Sequence, residues 1–163
     1  RGEALWEIWC FAQCGAMSSH GNLLALGSEG EVVIWDLQTR VRGKRMEHGA
    51  WVESVSFSPD GRFLASGGAD GVVRMWEVRS GREVRRMKKH GEWVWSVSFS
   101  PDGRFLASGG ADGVVRMWDI ESGREVRRMK HGADVKSVSF SPDGRFLASV
   151  DLNGAIWIWR VKE

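Results

Sequence analysis

Along residues 94–130, apolar and polar positions alternate with the two-residue period of half-buried strands, interrupted at short intervals by turn residues. Val94, Val97 and Phe99 are apolar with Ser98 and Ser100 beside them, and one slip around Trp95 and Ser96 breaks the phase. A β-bulge at that point restores it. Ser100-Pro101-Asp102-Gly103 then reads as a tight turn, Pro fixing φ at its first corner and Gly closing it. A second strand runs from Arg104 to Gly109, and Ala111-Asp112-Gly113 turns into a third from Val114 to Ile120. Glu121-Ser122-Gly123 leads to a fourth, from Arg124 to Lys130. The pattern predicts a four-stranded antiparallel meander without helix.

The meander recurs. Ser-Pro-Asp-Gly stands at 58–61, 100–103 and 141–144, and the stretch Ser54–Trp76 is repeated letter for letter as Ser96–Trp118. A weaker copy, CGAMSSHGNLLALG at 14–27, lies over SVSFSPDGRFLASG, with Leu23, Leu24, Ala25 and Gly27 on Phe105, Leu106, Ala107 and Gly109. Self-similarity at a period in the low forties marks a fold of stacked units, and there are four such units in the chain.

These residues resemble the WD-repeat β-propeller family, over nearly the whole chain. The units end in Trp35-Asp36, Trp76-Glu77, Trp118-Asp119 and Trp159-Arg160. His48, His90 and His131 each stand four residues ahead of Val52, Val94 and Val135, where the family carries a histidine before its innermost strand. The resemblance implies an all-β fold, a β-propeller of four-stranded antiparallel blades, four blades per chain, at about 10–47, 52–88, 94–130 and 135–161. Two units depart from the pattern. The first lacks the His, has Leu26 in place of the strand serine, and has a second turn, Ser28-Glu29-Gly30, one residue shorter; the last has Asn153 where the others have Asp70 and Asp112.

The fourth unit stops at Ile156–Val161 with two residues left, so it lacks a fourth strand, while residues 3–9 read as a strand without a unit. That segment is expected to complete a fourth blade. Blades of this family suit rings of about seven or eight, so four of them make an open half ring with two apolar faces, which a two-fold axis buries together. The reading is a homodimer forming one eight-bladed ring, residues 3–9 exchanged between chains. A closed four-bladed monomer and a piece of a larger propeller stay open as alternatives, the absence of an initial Met being compatible with the second.

Composition narrows the function. The sequence is 42% hydrophobic and 27% charged with a formal net charge of +2, a balance that points to neither nucleic acid nor an anionic membrane surface. No apolar run approaches the ~20 residues of a membrane span, and no signal peptide is legible, so the chain reads as cytoplasmic. Cys10 and Cys14, four apart in an extended segment, stand roughly 13 Å from each other and do not bridge.

His90, Ser108 and Asp112, like His48, Ser66 and Asp70, are the residue types of a hydrolytic triad. One copy per blade suits architecture better than catalysis. The family resemblance implies a buried relay in which Asp orients His, His reaches Ser and Ser reaches the Trp indole. Its members are His48, Ser66, Asp70 and Trp76, then His90, Ser108, Asp112 and Trp118, then His131, Ser149, Asn153 and Trp159. The basic runs at 82–89 and 124–130 fall on outermost strands, where Lys and Arg blunt an edge. The histidines show no metal-ligand spacing and the glycines no phosphate loop, so no metal and no cofactor is expected.

The resemblance further implies that Trp51, Glu53, Trp93, Trp95, Asp134 and Lys136, with Ala69 and Ala111, lie on the upper face around the channel mouth, where partners dock. The tryptophans there read equally as binding anchors or as packing between blades. The resulting expectation is a non-enzymatic scaffold for protein or peptide binding. The alternative is an engineered or recently duplicated propeller with no selected ligand, which the verbatim repeat favours.

Overall fold

The computed structural model describes all residues except Arg1, Leu5, Trp6, Trp9 and Glu163. Strands β1 (Cys14–Met17), β2 (Leu23–Gly27), β3 (Glu29–Asp36) and the first part of β4 (Val41–Phe57) form the first antiparallel meander. The second part of β4, with β5 (Phe63–Gly68), β6 (Val73–Glu77) and β7 (Glu83–Met87), forms the second. Strands β8 (Val94–Phe99), β9 (Phe105–Gly110), β10 (Val114–Asp119) and β11 (Glu125–Lys130) form the third. The last has three strands, β12 (Val135–Phe140), β13 (Phe146–Asp151) and β14 (Ile156–Arg160). The register slips between Val52 and Ser54, Val94 and Ser96, and Val135 and Ser137, where the sequence loses its alternation.

Each first hairpin is fixed by one serine and one aspartate. Ser100 Oγ accepts the Phe105 N–H at 2.9 Å and donates to Asp102, whose carboxylate accepts the Arg104 N–H at 3.0 Å. Gly103 closes the turn at φ 71°, a conformation that favours glycine. The same bonds recur at Ser58 and Ser141.

The units stack face to face, each supplying half of a core. Ala65, Val73, Met75 and Met87 of the second unit pack on Val94, Val97, Phe99, Leu106 and Trp118 of the third, and equivalent residues form the other two junctions. Close approach depends on glycine in the second strand of each unit. A Cβ on Gly67 would lie 2.5 Å from Val94 Cγ1, and one on Gly109 2.5 Å from Val135 Cγ1. Serines of each inner strand then reach the next: the Val97 and Phe99 N–H groups donate to Ser54 and Ser56, and the Val138 N–H to Ser96, at 3.0–3.2 Å. These amides face away from their own sheets and would otherwise go unpaired.

The two ends differ from the sequence expectations in detail. The connection between a first unit ending at 47 and a second beginning at 52 lies within the seventeen residues of β4, because Glu29 pairs with Trp51, but it is not extended throughout: Gly49 sits at φ 84° and the pairing with β3 jumps from Glu47 to Trp51. The first strand begins at Cys14 rather than near 10. Of the segment 3–9, Glu3, Ala4, Glu7 and Ile8 lie in no strand of the single chain, and Leu5, Trp6 and Trp9 are outside the described residues. At the opposite end Ile156 and Ile158 are 68% and 64% exposed, although Val115 and Met117 at the same places are buried.

Gly109→Ala is expected to lower stability by about 1–3 kcal/mol through overpacking against Val135. The double variant with Val135→Ala should recover part of that loss, as measured by urea denaturation.

Candidate functional site

Three relays lie buried between strands. In the second unit His48 Nδ1 is 2.9 Å from Ser66 Oγ, which also accepts the Trp76 indole N–H at 2.8 Å, and His48 Nε2 is 3.3 Å from Asp70. In the third, His90 stands 2.7 Å from Ser108 and 3.0 Å from Asp112, and Trp118 donates to Ser108 at 2.8 Å. Ser66 and Ser108 are fully buried, so their hydroxyls are spent inside the fold.

Sequence reasoning missed two members. Arg74 and Arg116, themselves buried, donate to Asp70 and Asp112 at 2.8 and 2.5 Å and pair through Nε with Glu83 and Glu125 at 3.3 and 3.2 Å. They stand two residues before the terminal Trp, on the same face of the third strand, a place that period-2 reading assigns to the core. A charge at a core place was the available signal.

The fourth unit corrects the expectation for Asn153. The carboxylate beside His131 is Asp151, 3.1 Å from Nδ1, with Ser149 2.7 Å from Nε2 and Trp159 donating to Ser149 at 2.7 Å. Asn153 contributes only its backbone N–H, to Asp151 at 3.0 Å. Register explains this, because Asp151 occupies the place of Gly110, where a Cβ would lie 2.9 Å from the His90 ring. A side chain grown there enters the relay from the strand instead of the turn.

Electrostatics follow from these contacts. Burial, and then the Arg74 charge, push His48 below the ordinary histidine value against the pull of Asp70. For Asp70 and Asp112 burial acts upward, but the combined hydrogen bonds and charges of the Arg and His partners outweigh it and hold both carboxyls low. The His131 hydrogen bond does the same for Asp151. Burial raises the Cys14 thiol to about 11, and both cysteines are free. Among the described residues no cluster of His, Cys, Asp and Glu could hold a metal, and no helix is long and apolar enough to cross a membrane.

The residues expected at a rim meet where each second turn joins an inner strand. Ala69 and Ala111 donate backbone bonds to the Trp51 and Trp93 carbonyls at 2.9 and 2.8 Å, and Leu152 to Asp134 at 2.9 Å, joining each second turn to the start of an inner strand. Trp93 and Trp95 stack with centroids 4.9 Å apart. The Lys136 ammonium sits 3.6 Å from the Trp95 ring centre, and Trp95 Nε1 is 3.4 Å from Asp134, so Trp95 also bridges to the neighbouring unit. Trp51 and Trp93 remain 40% and 38% exposed. Trp51 stands apart from that cluster, beside Phe11, Gln13 and Glu29. Glu53 lies in the bulge preceding Ser54.

Asp112→Ala leaves the buried His90 without its carboxylate and Arg116 with Glu125 alone, and a loss of about 3 kcal/mol in urea denaturation is expected. Asp151→Ala should lower the thermal midpoint while Asn153→Ala leaves it unchanged. Because His48 is depressed in the fold, the unfolded chain binds its proton first as pH falls. The stability that the neutral ring confers is complete above about pH 6.5 and declines on acidification through the lower folded value. Thermal midpoints from pH 8 to 5 should therefore fall, and fall less in His48→Gln.

The description "WD domain, G-beta repeat" matches residues 41–77, 81–119 and 123–160. The nuclear distribution protein PAC1 of Arthroderma benhamiae is 47% identical over 66 residues, 39% of this chain and 14% of that protein. The guanine nucleotide-binding protein subunit beta of Oryza sativa subsp. japonica is 35% identical over 71 residues, 42% of this chain and 19% of that protein. A chain in the crystal structure of a mitotic checkpoint complex superposes with a TM-score of 0.83 at 29% identity, covering 90% of this chain and 46% of that one. The chain thus spans less than half the length of the proteins it matches here. With three matched repeats taking in more than half of its residues, each ending at a tryptophan bonded to a buried serine, it belongs to the WD40 repeat family.

Proposed function

We propose that the chain is a non-enzymatic scaffold whose upper rim binds a protein or peptide, and that two chains join as one eight-bladed ring with residues 3–9 exchanged. The tryptophan stack, exposed at Trp93, carries the first part. Trp93 and Trp95, braced by Asp134 and Lys136, offer a rigid apolar surface with a charge of each sign beside it, the composition of a binding anchor. Trp51, Glu53, Ala69 and Ala111 extend the same rim. Protein and peptide binding is the family's work, and the structural neighbour is itself part of a complex.

Catalysis has no foothold in this reading, since each triad serine already engages a histidine and a tryptophan in the interior. Nucleic acid and membranes are not its partners: Arg86 and Arg128, on the basic outer strands, are paired with Glu83 and Glu125. Unbridged cysteines suit a reducing compartment, and a cytoplasmic location belongs to the same reading.

Peptides selected from a random library on the immobilised protein should lose affinity by about tenfold or more on Trp93→Ala or Trp95→Ala. Selection of nothing, or of peptides indifferent to both changes, would favour a duplicated scaffold without a ligand. Light scattering should give a mass about twice 18.2 kDa; a particle of 18.2 kDa at every dilution would end the paired-ring reading.

A further inference from the structure

We propose that the open face of the fourth unit seats on the first unit of a second copy through a reversal of the size pattern found at every internal junction. The inference rests on the paired-ring reading and names the contact that makes it specific.

Register defines equivalent places. Cys14 pairs with Gly27, Ser54 with Gly67 and Ser96 with Gly109, but Ser137 pairs with Val150. At the three internal junctions a Cβ on the glycine would lie 2.7, 2.5 and 2.5 Å from Cγ1 of Val52, Val94 and Val135. On Gly67 and Gly109 it would also crowd Val97 and Val138, at 3.1 and 3.2 Å. Glycine is what admits the valines of the next unit. Val150 therefore rejects any unit that carries valine at those places.

The first unit carries none. Ala12, two residues before Cys14 as Val52 is before Ser54, stands at the place of Val94, and Gly15 stands at the place of Val97. The bulk has moved across the junction, from the receiving strand of one unit to the second strand of the other. The two altered partners belong to the chain's two open faces, those of Met17 and of Ile156 and Ile158, all more than half exposed.

Polar groups follow the same geometry. Ser137 and Ser139 are exposed at the places of Ser54 and Ser56, whose hydroxyls accept N–H groups from the next inner strand. Gly15 and Met17 hold the matching donor places in the first unit. Its face is more apolar than the others, with Leu26 and Val33 replacing the relay Ser108 and Arg116. Ala12, Leu26, Val33 and Trp35, with the Glu31–Arg42 pair beside them, line a hollow of about 370 Å³ on this face, room for the two isoleucines. A two-fold pair of chains makes this contact twice and closes the ring, leaving neither face open.

The test is a cycle of Ala12→Val, Val150→Gly and the double variant, with dimer dissociation constants from sedimentation and folding monitored by circular dichroism. Ala12→Val sets valine against valine and should weaken the dimer at least about tenfold, and Val150→Gly, which opens a hollow, several-fold. The double variant restores the internal pattern at that place and should return to within about threefold of the parent. Ile158→Asp, at a place exposed in the single chain, should give a folded monomer. A dimeric parent whose single effects simply add would overturn the contact and leave the paired ring standing. A parent monomeric at all concentrations would overturn both, and coupling between positions 12 and 150 within such a monomer would assign the contact to closure in one chain.

Discussion

A twisted sheet of three or four short strands has two apolar faces and covers neither by itself. Each of the first three units is covered by the next one, and the distance at which it can lie is set at one position, the glycine in the second strand. With no side chain there, the valines of the following inner strand sink toward the sheet, and its backbone comes within reach of a serine hydroxyl from the unit before. Packing and hydrogen bonding at a junction are thus set by a single choice of residue.

The relays are the polar counterpart of that closeness. Bringing sheets together buries the ends of histidine, aspartate and arginine side chains, and each survives there only with its partners in place. Arg74 and Arg116 need a fourth strand, since Glu83 and Glu125 come from it. The fourth unit has no such strand among the described residues, and at the arginine's place stands Trp157, stacked on Trp159 and set edge-on to His131. A ring that tolerates partial exposure replaces a charge that does not.

The strands, their turns and the bulge were legible because each leaves a local mark: alternation, Ser-Pro-Asp-Gly, and one slip of phase. The relay of His90, Ser108, Asp112 and Trp118 was legible through family resemblance and repetition. Asp151 was not, because alignment equates it with a glycine and only the direction of the absent Cβ reveals that a carboxylate there reaches the histidine. Arg116 was hidden by its own regularity, a cation in a core register whose counterions lie four residues back in a turn and nine residues on in another strand. The bridge from Trp51 to Glu29 was hidden for a different reason, since Gly49 and the histidine before it read only as punctuation; Gly49 does turn the backbone, at φ 84°, and the pairing resumes beyond it.

That long strand bears on how the molecule comes apart. The first unit has no relay and an irregular second turn, yet that turn is tied to the head of the second unit's inner strand: Trp51 pairs with Glu29, and the Val52 N–H donates to the Ser28 carbonyl at 3.0 Å. Between the second and third units, and between the third and fourth, the connecting residues leave the strand conformation. Opening events that detach one sheet from its neighbour therefore have natural seams at 88–93 and 131–134, whereas at 47–52 they must also break the bonds to Ser28 and Glu29. The irregular unit is thereby fastened to a regular one, and in exchange experiments the two would share one cooperative block, the irregular end borrowing its persistence from the regular interior.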